Sequence, residues 1–144
     1  MGVGYGEETL MIYYLDTNTI IDMLGGNSSG IKERLRSITS KNIKIPSIVR
    51  AELIVGVYKS NDPKKKREII AKILAPYEIM PFDADASEEY GRIRAELEIA
   101  GNIIDPNDLM IAATVLSKGG TLVTNNTKEF SRVKNLLIED WSEL

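Results

Sequence analysis

The stretch MIYYLDTN, residues 11–18, sets a run of apolar side chains directly against Asp16 and two small polar residues. Such a run reads as a buried strand, and Asp16 is then the first side chain past its carboxyl end. In open α/β sheets that edge is where ligands gather. Three further polar residues stand in comparable places: Glu52 in SIVRAELIVG (47–56), Asp108 in DPNDLMIAA (105–113) and Asn126 in TLVTNNTKEF (121–130). Three carboxylates and an amide brought together form an all-oxygen cluster, which suits a hard cation such as Mg²⁺ or Mn²⁺. Acids crowded into one cleft stay ionised only if a divalent ion offsets their repulsion.

Working outward from β-type residues 11–15, short strand-like runs recur at 43–45, 79–82, 121–124 and 136–138, separated by segments with helical periodicity. A short helix at 20–24 stops at Gly25 and Gly26. A second, with Ile31, Leu35 and Ile38 on one face, follows Ser28 and Ser29 as caps. Ser47 caps a helix reaching about residue 59, and Asp62 with Pro63 opens another. Ser87, with Glu88 and Glu89 in the first turn, starts a helix that buries Tyr90, Ile93 and Leu97 and ends near Gly101. Asp105 and Pro106 begin the last, which Gly119 and Gly120 close. This alternation predicts an α/β fold with a mainly parallel sheet covered by helices on both faces. Residues 1–10 read as a frayed, flexible extension, with Met11 a candidate start, and 11–144 as a single domain.

Composition excludes whole classes of chemistry. The 144 residues contain no Cys and no His, so thiolate zinc, disulfides, thiol nucleophiles and every His-based triad are ruled out. With a net charge of −3, the surface as a whole does not attract nucleic acid, and any such contact needs local basic patches. The candidates are the run Lys64, Lys65, Lys66 and Arg67, which reads first as a solvated helix face, and the group Lys128, Arg132 and Lys134. The longest apolar runs are interrupted by Asp16, Glu52 or Asp108, so a membrane span is not expected and the cytoplasm is the default compartment.

Each site residue has an ordinary alternative. Asp16 can serve as an Asx-turn or N-cap, although Thr17 and Asn18 are able to cap the next helix and leave it free. Glu52 shares a helix face with Ile48, Ala51 and Val55; its alternative is a buried pair with Arg50 or Arg92. Gly56, one turn on, leaves space beside that carboxylate. Asp108 at the third helical position suits a capping box, yet LMIAATVL is apolar nearly all round, which predicts that its N-terminus is tucked into the protein. Thr124, Asn125 and Asn126 suit a turn equally well.

Taken in order, YLDTN, AEL-x-x-G, G-x-x-I-x-x-x-D-L-x-I-A-A and LVTNNTKEF followed by EDW make the chain resemble PIN-domain ribonucleases, specifically the VapC-type toxins of prokaryotic toxin–antitoxin pairs. The likeness runs from about residue 11 to 141. It implies a three-layer α/β/α sandwich and a Mg²⁺- or Mn²⁺-dependent endoribonuclease. Asp16 and Asp108 would be the main metal ligands, Glu52 the third acid, and Asn18 and Thr124 supporting residues. Many relatives have a fourth acid where this chain has Asn126. A cognate VapB-like antitoxin and a homodimer are implied as well. Asp105 is an additional acid without an assigned role. Two other readings compete: a non-catalytic PIN-like module that binds RNA or protein around a structural cation, and a phosphatase of the haloacid dehalogenase type. The latter lacks its DxD motif, because Asn18 stands at the second position.

Overall fold

The computed structural model describes residues 11–26 and 29–142; the expected extension at 1–10 and the Ser28 cap lie outside the described residues. The elements, in order, are β1 (Tyr13–Leu15), α1 (Thr17–Leu24), α2 (Ser29–Arg36), a 3₁₀ turn (Ser40–Asn42), β2 (Ile43–Pro46), α3 (Ser47–Tyr58) and α4 (Pro63–Leu74). They continue with β3 (Glu78–Met80), α5 (Ala84–Ile99), α6 (Pro106–Lys118), β4 (Thr121–Val123), α7 (Thr127–Phe130) and β5 (Leu137–Glu139).

All four strand pairings are parallel and the order is β3-β2-β1-β4-β5. From β1 the chain steps outward to β2 and β3, then returns across the sheet to β4 and β5. Parallel crossovers are right-handed, so the reversal puts the helices of the two halves on opposite faces. The expected three-layer α/β/α sandwich is thus formed, with a sheet that is parallel throughout. Such a sheet is covered on both sides, which explains why β1 and β4 are buried at every position. Leu15, Ile20, Ile43, Ile45, Ile111, Leu122 and Phe130 are among the fully buried side chains of the core. Among the described residues no helix is long and apolar enough to cross a membrane.

The direction change falls between β1 and β4. Asp16 leaves the carboxyl end of one and Thr124 the carboxyl end of the other, so both sit at the switch point where parallel sheets open a crevice.

Several local expectations need correction. Helix α1 starts at Thr17, and Asp16 itself is its N-cap, with its carboxylate accepting from the Thr17 amide. Ser47 does not cap α3; its hydroxyl instead accepts from the Phe82 amide at 3.2 Å and ties α3 to the end of β3. Helix α5 opens three residues before Ser87, with Asp83 as the capping side chain, while the Ser87 hydroxyl donates back to the Ala84 carbonyl. Asp62 caps α4 through the Lys65 amide, as expected.

One glycine decides whether β4 can lie beside β1. Gly120 has φ +142°, and a Cβ there would stand 2.7 Å from the Ile12 carbonyl oxygen and 2.8 Å from the Tyr14 ring. Gly56, by contrast, has nothing within 4 Å of an added Cβ. Gly120→Ala is therefore expected to cost at least about 2 kcal/mol, lowering the melting temperature by roughly 4 °C or more. Gly56→Ala, in an exposed helix interior, is expected to gain about 0.5–1 kcal/mol. Thermal melts of the two variants check this; equal melting temperatures would contradict the close approach at Gly120.

Candidate active site

Asp16 is the anchor. It is only 3 % exposed, and both carboxylate oxygens are engaged: Oδ1 accepts from the Thr17 amide at 2.8 Å and Oδ2 from the Thr124 hydroxyl at 2.7 Å. Thr124, fully buried, also accepts from the Asn126 amide at 3.0 Å, so one hydroxyl links β1, β4 and the turn into α7. Burial holds the Asp16 carboxyl above the usual range. The bonds from Thr124 and Thr17 pull it back down, and the charges of Glu52 and Glu129 push it up again.

Glu52 reaches the same crevice from α3. Its Oε1 accepts from the Thr17 hydroxyl at 2.5 Å and its Oε2 from the Asn107 side-chain amide at 3.3 Å. The expected surroundings are absent: Val49, Leu53 and Val57 form the buried face, whereas Ala51 and Val55 are exposed and Glu52 is half-buried. The Glu–Arg alternative also fails, since Arg92 pairs with Glu89 and Glu96 on its own helix and, among the described residues, Arg50 makes no ion pair.

Asp108 enters from α6. Asp105 caps that helix, accepting from the amides of Asn107 at 3.0 Å and Asp108 at 3.3 Å. The residue that reaches back to the Asp105 amide is Glu129, at 3.4 Å, so Asp108 does not close a capping box. Nor is the helix start tucked in, for Asp105, Pro106 and Asn107 are exposed while Leu109 and residues 111–115 are buried. The apolar character of the segment belongs to its middle. Burial pushes the Asp108 carboxyl up to about 8, helped by a hydrogen bond with Glu129 and by the charges of Asp16, Glu129 and Asp105.

Glu129 is a member of the acid cluster that the sequence reading does not single out. The fourth position was assigned to Asn126, which is half-buried and caps α7 without a side-chain bond. Glu129 lies three residues on, one turn into that helix, and its carboxylate meets Asp105 and Asp108. The available signal was N-x-x-E, a cap followed by an acid at the third helical position, in a helix only four residues long. Asn18, a predicted supporting residue, is exposed and makes no hydrogen bond to the cluster among the described residues.

The crevice therefore gathers Asp16, Glu52, Asp105, Asp108 and Glu129, and among the described residues no lysine or arginine forms an ion pair with any of them. Two carboxyls held above their usual range, in an all-oxygen set without a cationic partner, fit a hard divalent ion. As the side chains stand, no three acids of the described residues converge on one ion position.

Sequence and structure comparisons identify the family. The PIN domain family model matches residues 13–136. Ribonuclease VapC2 of Rickettsia felis is 40% identical over 134 residues, spanning 92% of this chain and 100% of that protein. The tRNA(fMet)-specific endonuclease VapC of Shigella flexneri is 36% identical over 133 residues, with 92% and 100% covered. Among solved structures, VapBC2 of Rickettsia felis bound to a promoter DNA fragment superposes with a TM-score of 0.86 at 40% identity, covering 91% of this chain and 99% of that one. DNA-bound VapBC of Salmonella typhimurium gives a TM-score of 0.86 at 37% identity, with 91% and 98% covered. The chain belongs to the PIN-domain family, in its VapC branch.

The raised carboxyls carry a stability consequence. Unfolding releases Asp108 to its ordinary range near 4, so between about pH 4 and pH 8 the folded chain holds a proton that the unfolded chain has lost. Its contribution to stability is thus highest at the acid end of that window and falls as pH rises toward 8. Asp108→Asn removes the titration and keeps a hydrogen-bonding side chain beside Glu129. In EDTA the variant is expected to melt above the parent, by a margin that widens from pH 5 to pH 8. Thermal melts at the two pH values check it; a margin that stays constant would contradict the raised carboxyl.

Proposed function

We propose that this chain is a Mg²⁺- or Mn²⁺-dependent endoribonuclease that hydrolyses RNA phosphodiester bonds in the cytoplasm and serves as the toxin of a type II toxin–antitoxin pair. The observation that carries this reading is the unpaired acid cluster at the switch point, with Asp16 locked by Thr17 and Thr124. The relatives support it: they are named as ribonucleases, one of them specific for tRNA(fMet), and the matching structures contain VapB with VapC. The cluster is also open on one side, because Asp105 is exposed and Glu52, Asp108 and Glu129 are only half-buried. A purely structural cation site is better served by closure, whereas a substrate needs a path to the acids.

Asp16 and Asp108 would hold the ion, with Glu52 and Glu129 at its flanks. When bound, the ion supplies Lewis acidity and charge neutralisation at the scissile phosphate. The chain's own residues do the positioning. Thr124 and the Thr17 amide fix the Asp16 oxygens, while the Thr17 hydroxyl and Asn107 fix Glu52. Glu52 would orient an attacking water, and the side-chain amide of Asn126 would contact phosphate. By the same reading the chain forms a homodimer and is inhibited by a cognate antitoxin that covers the acidic crevice.

Purified protein is expected to cut single-stranded RNA with Mn²⁺ or Mg²⁺ and to stop in EDTA. Undiminished cutting in chelator, checked on a gel with a labelled transcript, would overturn the proposal, because no other residue set in the chain replaces the ion.

The site also predicts an order among variants. Thr124→Val removes the hydroxyl that holds Asp16 and is expected to lower activity roughly 10- to 100-fold, as loss of a ligand-orienting partner does. Asp16→Asn and Asp108→Asn are expected to fall further, and Asn126→Ala to fall least. Calorimetric titration with Mn²⁺ should give the same order for affinity. Wild-type Mn²⁺ affinity in Asp108→Asn would remove Asp108 from the site.

A further inference from the structure

A charged surface at the end of α3 and along α4 is left unexplained by the acids. From residue 59 to 72 there are six basic side chains, Lys59, Lys64, Lys65, Lys66, Arg67 and Lys72, against two acids, Asp62 and Glu68, on a chain of net charge −3. All six are exposed apart from the half-buried Lys66, and none enters an ion pair among the described residues. A solvated face in this same protein looks different. On α5, Arg92 and Arg94 are tied to Glu89, Glu96 and Glu98 at helical spacing. Concentrated, uncompensated positive charge costs self-repulsion and is the electrostatic footprint of a polyanion.

An aromatic platform stands among these charges. Tyr58 is 74% exposed, and the Arg67 guanidinium lies 5.4 Å from its ring centroid. Beside it, Arg50 and Arg67 flank a groove of about 390 Å³ floored by Ile54, Ile70, Leu74 and Ile79. A second groove of about 380 Å³ is bordered by Glu52, Gly56, Lys66 and Ile70, so it runs from an acid of the crevice to the basic helix. Ile70 lines both grooves, so the two lie side by side on this face.

We propose that this surface is a track for the RNA strand flanking the cleaved phosphodiester. The lysines and Arg67 engage successive phosphates, Tyr58 stacks a base, and the groove between Arg50 and Arg67 receives a neighbouring base. An acidic peptide would satisfy the charges but leave the stacking platform of Tyr58 and two guanidiniums without a use. The inference rests on the proposed ribonuclease function, and binding separates the two.

The test is fluorescence anisotropy of a labelled 20-nucleotide single-stranded RNA of mixed sequence, in EDTA, with the full chain. The triple variant Lys64→Gln, Lys65→Gln, Arg67→Gln is expected to bind at least about tenfold more weakly, with the slope of log affinity against log salt reduced by about 2, from roughly 0.7 per phosphate contact. Tyr58→Ala should lose about tenfold and Tyr58→Phe little. All of these are surface changes, and unchanged melting temperatures verify folding. With Mn²⁺ present, the triple variant should raise KM for a long transcript while leaving kcat, and cleavage of a tetranucleotide, near parental values. Parental affinity and salt slope in the triple variant would overturn the track, as would RNA binding that is unchanged while a co-expressed antitoxin no longer copurifies. A parent that binds RNA through this patch but cuts nothing would instead sink the nuclease reading and leave the track standing.

Discussion

The site depends on a single junction between β1 and β4. The Asp16 amide donates to the Val123 carbonyl at 3.0 Å, the Thr19 hydroxyl to the same carbonyl at 3.1 Å, and the Thr124 hydroxyl to the Asp16 carboxylate at 2.7 Å. A buried carboxylate is costly unless its lone pairs are met, and here a cap, a hydroxyl and the sheet itself meet them. The same bonds that make Asp16 tolerable also fix where its oxygens point. Gly120 is what lets β4 come close enough for this, because no side chain fits between it and β1. A backbone requirement at the start of β4 thus sets the position of a carboxylate at its end.

The remaining acids are held less firmly, and the difference has a chemical meaning. Glu52 hangs from Thr17 and Asn107, and Glu129 from the Asp105 amide; each bond can be exchanged for an ion or substrate contact. Asp108 keeps a proton well above the usual carboxylate range because it is buried, with a hydrogen bond to Glu129 and the charges of nearby acids adding to the effect. Such a crevice is less stable than an apolar one of the same size, and perturbed carboxyls of this kind cluster where chemistry is done. The fold supports the excess through the fully buried core beneath the sheet, where Ile45, Ile111 and Leu122 need no polar partner.

Much of this was legible in the sequence, and the failures share a cause. The strands announced themselves as short apolar runs, and Asp62 and Asp105 as caps before proline, since those signals are local. Asp16, Glu52 and Asp108 were recognisable because polar residues interrupted apolar patterns. What sequence could not supply was the partner of each polar group. Asp16 is both a helix cap and a member of the acid cluster, places that one side chain combines through its two oxygens. Ser47 and Ser87 look like caps, yet their hydroxyls bond elsewhere. Glu129 was hidden in a helix too short to show periodicity, and its relation to Asp105, 24 residues away, exists only after folding. The helix around Glu52 was misjudged because its apolar residues are spread over two faces, of which one remains exposed.

Electrostatics connects the two halves of the functional surface. At physiological ionic strength charges are screened beyond about 8 Å, whereas a domain of this length has a radius of gyration near 15 Å. A strand lying on α4 therefore senses the lysines there far more than the chain's net charge of −3. At the crevice the sign is opposite: carboxylates repel phosphate until a divalent ion reverses the local charge. On the proposed reading, attraction on the basic helix would be independent of the ion, and attraction at the acids would require it. Under the proposed track, holding RNA and presenting it for cleavage would be separate steps, governed by different residues along the groove that Lys66 and Glu52 border.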